Sequence, residues 1–138
     1  MQKMKNSLTM FCLTVLLSCA ALMMNTPTAS AMTLQDLVGD YRVVGGDAGR
    51  ISGSIVTLKM ENGNLIGIVK QKSSGATYWV NGGVFMRDVY VENGVIHCQA
   101  IQGNDDVFSD MVVEVYSNGK TLRYIWNSNW MMHELHRL

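Results

Sequence analysis

The sequence predicts an all-β fold, an antiparallel up-and-down barrel of eight or nine short strands with one short helical turn before them. Three observations carry this expectation. Short β-rich runs alternate with Gly and Asn breaks from residue 40 to the end, with almost no 3.6-residue periodicity. Asn62-Gly63, Asn93-Gly94 and Asn118-Gly119 each separate two apolar runs, and Asn-Gly supplies the positive φ angles of a type I′ hairpin turn. Connections this short exclude the crossovers that parallel strands require.

The 138 residues carry no formal net charge and are too few for more than one domain beyond a leader. Thirteen Gly against one Pro, with 16% charged residues, exclude a coiled coil, a disordered acidic tail and a basic nucleic-acid binder. Residues 1–31 read as a secretory signal peptide. Lys3 and Lys5 form the positive region, 8–24 the apolar run, and Ala29-Ser30-Ala31 the small-residue cleavage site. Leu16-Leu17-Ser18-Cys19 resembles a bacterial lipobox, which would lipidate Cys19, but the apolar run continues past Cys19 through Met24. Cleavage after Ala31 leaves a single barrel domain, 32–138, with no transmembrane span, in the periplasm or outside the cell. Its 107 residues hold nine basic and eleven acidic side chains, a net of −2, which does not steer it to nucleic acid. Cys98 is then its only cysteine, so no intrachain disulfide forms and the fold rests on its core.

Thr33-Leu34-Gln35-Asp36 has capping-box spacing and starts a helical turn that Gly39 ends. Strands are expected near 40–44, 51–60, 65–71, 76–80, 84–91, 95–102, 107–116, 121–126 and 130–137. Two-residue turns dictate register, and register dictates faces. Around Asn118-Gly119, Val115 meets Leu122, Val113 meets Tyr124 and Met111 meets Trp126, with Glu114 opposite Arg123 on the reverse. Around Asn62-Gly63, Met60, Leu65, Val56 and Val69 share a face, and Lys59, Thr57 and Lys70 its reverse. Around Asn93-Gly94, Phe85, Arg87, Val89, Val91, Ile96 and Cys98 face one way, and Asp88, Tyr90, His97 and Gln99 the other. In the last hairpin, central residues Ser128-Asn129 pair Arg123 with Glu134, Leu122 with Leu135, Tyr124 with His133 and Trp126 with Met131. A three-residue loop would instead drive Glu134 against Leu122. Sequential antiparallel strands with one apolar face hide their edges most simply by closing.

Leu37-Val38-Gly39-Asp40-Tyr41 leads a helical turn through Gly-x-aromatic into the first strand. It resembles the N-terminal Gly-x-Trp signature of the lipocalin/calycin barrels over about ten residues, with Tyr41 in place of Trp. The resemblance implies a basic residue of the last strand lying across that aromatic ring, a role that falls to Arg137.

On the expected inner face Arg87 is a buried cation that needs a partner or a ligand. With Tyr41, Tyr124, His133 and Arg137 it forms a candidate site for a small apolar or anionic ligand, since arginine forks onto carboxylates. A bulge would instead turn Arg87 outward toward Asp88 or Glu92. His133-Glu134-Leu135-His136 is not a zinc motif, because histidines three apart on a strand face opposite sides. His97-Cys98 fails as a base and nucleophile for the same reason. Asn104-Asp105-Asp106 with Asp110 lacks the glycine and terminal Glu of a calcium loop. Gly45-Gly46-Asp47-Ala48-Gly49 precedes a strand, and so lacks the helix of a phosphate cradle. No catalytic constellation, metal or cofactor is expected. Two functions remain: a non-enzymatic barrel with an interior ligand, or an envelope interaction or inhibitor module. The latter would use loops or an outer aromatic surface that Trp130 and Tyr116 join if they lie outside, out of an aromatic set of Trp79, Trp126, Trp130, Tyr78, Tyr90 and Tyr116. A cavity large enough for a ligand favours the first, and a filled core beside an exposed aromatic patch favours the second.

Overall fold

Thr33 N–H donates to Asp36 Oδ2 (2.8 Å) and Asp36 N–H to the Thr33 carbonyl (3.0 Å), closing a 3-10 turn over Leu34–Leu37. In this computed structural model the described residues are 32–45, 51–101 and 107–138. Eight strands follow the turn: β1 Gly39–Gly45, β2 Ile55–Glu61, β3 Asn64–Gln71, β4 Val84–Glu92, β5 Val95–Ile101, β6 Phe108–Tyr116, β7 Thr121–Trp126 and β8 Trp130–Arg137. Each pairs antiparallel with the next and β8 pairs with β1, so the expected barrel is closed. Among the described residues no helix is long and apolar enough to cross a membrane. The expected signal peptide and Cys19 lie outside the described residues, as do Asn104, Asp105, Asp106 and most of the Gly45–Gly49 stretch.

The Asn-Gly turns set register as expected. Asn62 (φ 53°) and Gly63 (φ 79°) pair Met60 with Leu65 and Val56 with Val69. Asn93 (φ 52°) and Gly94 (φ 75°) pair Val91 with Ile96. The third reversal is wider, with Ser117, Asn118 and Gly119 all at positive φ, yet it keeps Val115 opposite Leu122 and Glu114 opposite Arg123.

Among the described residues the pairing shifts register at five places, and three of these bulges, invisible to an alternation argument, re-aim residues of the interior and of β4. Gly67 faces Met86 while Ile68 faces Val84, which makes Phe85 an extra residue; Phe85 and Met86 are consecutive and both buried. Farther along β4, Arg87 faces Gln99 but Tyr90 faces His97, because Asp88 (φ 53°) opens a second bulge. In β8, Met132 is extra. The hairpin after β7 has the three-residue loop, with Trp126 opposite Trp130 and not Met131 as expected. The Met132 bulge then restores Tyr124–His133, Leu122–Leu135 and Arg123–Glu134, so Met132, not Met131, is buried.

Two expected strands are corrected. Residues 51–54 form a turn ahead of β2, and 76–80 are not a strand. The connection from β3 to β4 instead winds through short turns, with Ala76 N–H donating to Ser73, Trp79 N–H to Ala76 and Gly83 N–H to Val80 carbonyls. That winding places Ala76 and Trp79, three apart, inside the barrel, where strand alternation would have separated them by two. Ser54 Oγ, itself fully buried, accepts from Ser73 N–H (2.8 Å) and ties this loop to the start of β2.

Candidate functional site

The interior is occupied by four rings in a closed circuit. Trp79 lies 5.0 Å from Phe85, Phe85 6.3 Å from Tyr124, Tyr124 5.7 Å from His133, and His133 5.7 Å from Trp79. Three of the four contacts are edge-on, the arrangement ring quadrupoles favour. All four side chains are at most 1% exposed. Trp79 Nε1 donates to the Ile101 carbonyl (3.4 Å), and Tyr124 Oη donates to Met86 Sδ (3.2 Å). Trp79, from the β3–β4 loop, thus packs among the buried rings of β4, β7 and β8.

The expected ligand set is therefore divided. Tyr124 and His133 meet inside the circuit. Tyr41 and Arg137 meet at the end that the 3-10 turn covers. Tyr41 Oη donates to the Leu37 carbonyl (2.7 Å) and accepts from Arg137 Nη2 (2.8 Å), which also donates to the Asp36 carbonyl (2.6 Å). The guanidinium lies 5.3 Å from the Tyr41 ring centroid, across the Gly-x-aromatic element as expected. Its nearest approach to Gly39 is 3.7 Å from where a Cβ would stand.

Arg87 is not in the interior. The Asp88 bulge reverses its direction and puts Met86 opposite Ala100 in its stead. Outside, Arg87 Nε donates to Gln99 Oε1 (3.4 Å), pairs with Asp88 Oδ2 (3.5 Å), and its guanidinium sits 3.7 Å from the Phe108 ring centroid. Being half-exposed, the pair contributes little to stability. His133 is buried and His136 exposed, on opposite faces as their spacing requires.

Burial raises the Tyr41 phenol above its ordinary value, with Arg137 opposing, and pushes Tyr124 well above it, with Cys98 and Tyr41 adding to the effect. A phenol raised in the folded state contributes stability that is complete below the unfolded value of about 10 and is lost as pH rises through the folded one. Alkaline titration followed by phenolate absorbance and circular dichroism is expected to show Tyr124 ionising only as the barrel unfolds. Tyr124→Phe should move the unfolding midpoint upward; phenolate absorbance from Tyr124 in a still-folded barrel would contradict this.

The outer wall of β4–β6 carries a cleft of its own. Tyr90 and His97, cross-strand partners, stack at 4.9 Å with planes 11° apart. One rung along, Arg87, Gln99 and Asp110 line up across the three strands, and Gln99 Nε2 donates to Asp110 Oδ1 (3.2 Å). Between these rows the extra residue of the Asp88 bulge leaves a cleft of about 250 Å³. Asp88, Tyr90, His97, Gln99 and Asp110 line it, with Cys98 and Met111 as its floor. The Cys98 thiol is pushed up to about 12, first by burial and then by the Asp110 carboxylate. It is therefore expected to resist alkylation at neutral pH in the folded protein and to react once denatured, because the thiolate is the nucleophile. Rapid labelling of the native protein would contradict that placement.

Trp126 and Trp130 meet edge-on at 6.3 Å, with Trp130 half exposed, and Tyr78 is exposed on the same loop that buries Trp79. No protein-family model, curated protein or solved structure matches this chain. The cleft escaped sequence reasoning because it exists only through the bulge. The one available signal was the inward cation that strict alternation implied at Arg87, a placement too costly to be real.

Proposed function

We propose that the chain is an exported, non-enzymatic barrel, lipocalin-like at its closed end, that recognises a protein partner through its outer β4–β6 wall. The ring circuit carries this reading. An interior ligand would have to displace Trp79 and would find no Arg87 to anchor it, which leaves the interaction-module alternative with the stronger support. Arg137 over Tyr41 supports the lipocalin-like reading of the closed end, and residues 1–31 support export to the periplasm or beyond. His97 and Cys98 facing opposite sides of β5, with the thiol held protonated, support a binding role over catalysis.

The test is photo-cross-linking in the native host, with the cross-linking residue at position 90 on the β4–β6 wall or position 59 on the β2–β3 wall. A discrete protein adduct from position 90 and none from position 59 is expected. A small apolar molecule retained in native mass spectra, with no protein adduct at position 90, would overturn the reading in favour of an interior ligand.

A further inference from the structure

The charges of the barrel are unevenly distributed along the sequence. Residues 84–116 hold one basic side chain, Arg87, against six acidic ones, Asp88, Glu92, Asp105, Asp106, Asp110 and Glu114, a formal net of −5. The remainder of 32–138 holds eight basic and five acidic side chains, a net of +3. The wall that carries the cleft thus belongs to the acidic part of a chain that is otherwise mildly basic.

We propose that this cleft is a binding site for a cationic side chain, an arginine or lysine presented by a basic segment of the protein partner; this deepens the reading above and rests on it. Five observations converge. Two carboxylates line the cleft, Asp88 from the bulge and Asp110 from β6, each engaged on one side, by Arg87 and Gln99 respectively. The stacked Tyr90–His97 pair supplies ring surface beside them, and a cation held between carboxylate and ring gains from both. At about 250 Å³ it falls below the roughly 300–1,000 Å³ of sites for drug-sized molecules and suits one long side chain. Arg87 already shows the chemistry at the margin, its guanidinium against Phe108 and paired with Asp88. The acidic balance of 84–116 favours a basic partner over an acidic one and steers its approach.

The geometry also provides a clean variant. Asp88 occupies the left-handed region, which asparagine tolerates as well as aspartate, so Asp88→Asn removes charge without disturbing the bulge. Asp110→Asn does the same at an exposed position on β6. The probe is a short arginine-rich peptide, with a glutamate-rich peptide of equal length for comparison, titrated into the full barrel domain and followed by amide shifts. Saturable shifts centred on Tyr90, His97, Cys98 and Asp110 are expected. The double variant should weaken binding by about tenfold or more, as expected for lost charged hydrogen bonds. Glu61→Gln on the opposite side of the chain's charge balance should leave binding unchanged. Diffuse shifts over every acidic position, equal loss with Glu61→Gln, equal binding of the acidic peptide, or occupation of this wall by a second copy of the chain would each overturn the proposal. A position-90 adduct that persists in the double variant would overturn the cationic cleft while leaving the protein-binding wall intact.

Discussion

Trp79→Ala is expected to destabilise the barrel by ~3–5 kcal/mol, the cost of removing a large buried ring and leaving a cavity. Trp79 touches two members of the ring circuit directly, and its indole anchors the β3–β4 loop to β5 through Ile101. No strand hydrogen bond depends on it, so the barrel's register survives while its melting temperature falls by more than about 10 °C for a domain of this size. The same variant should bind small apolar probes more tightly than the native protein does, since an apolar cavity stays dry and takes such guests. Thermal denaturation with and without a benzene-sized ligand reads both effects. A variant as stable as the parent would show that the indole does not fill the interior.

Gly67→Ala should also be costly, for the opposite reason. A Cβ at Gly67 would lie 2.6 and 2.8 Å from Phe85 ring atoms and 2.9 Å from Met86 Cβ. Phe85 cannot yield easily, because Trp79 and Tyr124 hold it on both sides. Overfilling of this kind costs ~1–3 kcal/mol, and Gly67→Val should cost more. Gly63 offers the contrast. It has nothing within 4 Å of its Cβ position but sits at φ +79°, so Gly63→Ala strains backbone without touching the core. Denaturant unfolding should show the Gly67 series growing with side-chain volume. A flat series would mean that the Phe85 bulge is not constrained.

Hairpin register was legible because Asn62-Gly63 and Asn93-Gly94 specify a backbone conformation that few other residue pairs favour. Even the wider loop at Ser117–Gly119 preserves the pairing expected of a tight one. The bulges were not legible, because an extra residue such as Phe85, Asp88 or Met132 looks like any other strand residue. Only the tertiary requirement that Phe85 and Met86 both face inward reveals the first of them. The Ala76–Val80 stretch was not legible for a related reason: its composition suits a strand, but its turns bury Ala76 and Trp79 and expose Tyr78 and Val80. Tyr41 and Arg137 meet, as the Gly-x-aromatic resemblance implies, but Arg137 is exposed and not on the inner face, and Arg87 lies outside with the Asp88 bulge.

The proposed function requires that Trp79 fill the barrel, so that a partner is recognised outside it. A Trp126→Phe/Trp130→Phe variant leaves Trp79 as the only tryptophan of the chain. Its fluorescence should be blue-shifted, resistant to acrylamide quenching, and indifferent to added long-chain fatty acids or other apolar ligands. Emission that shifts to the red, or that becomes open to the quencher as such a ligand binds, would show the ring leaving the interior to admit a guest.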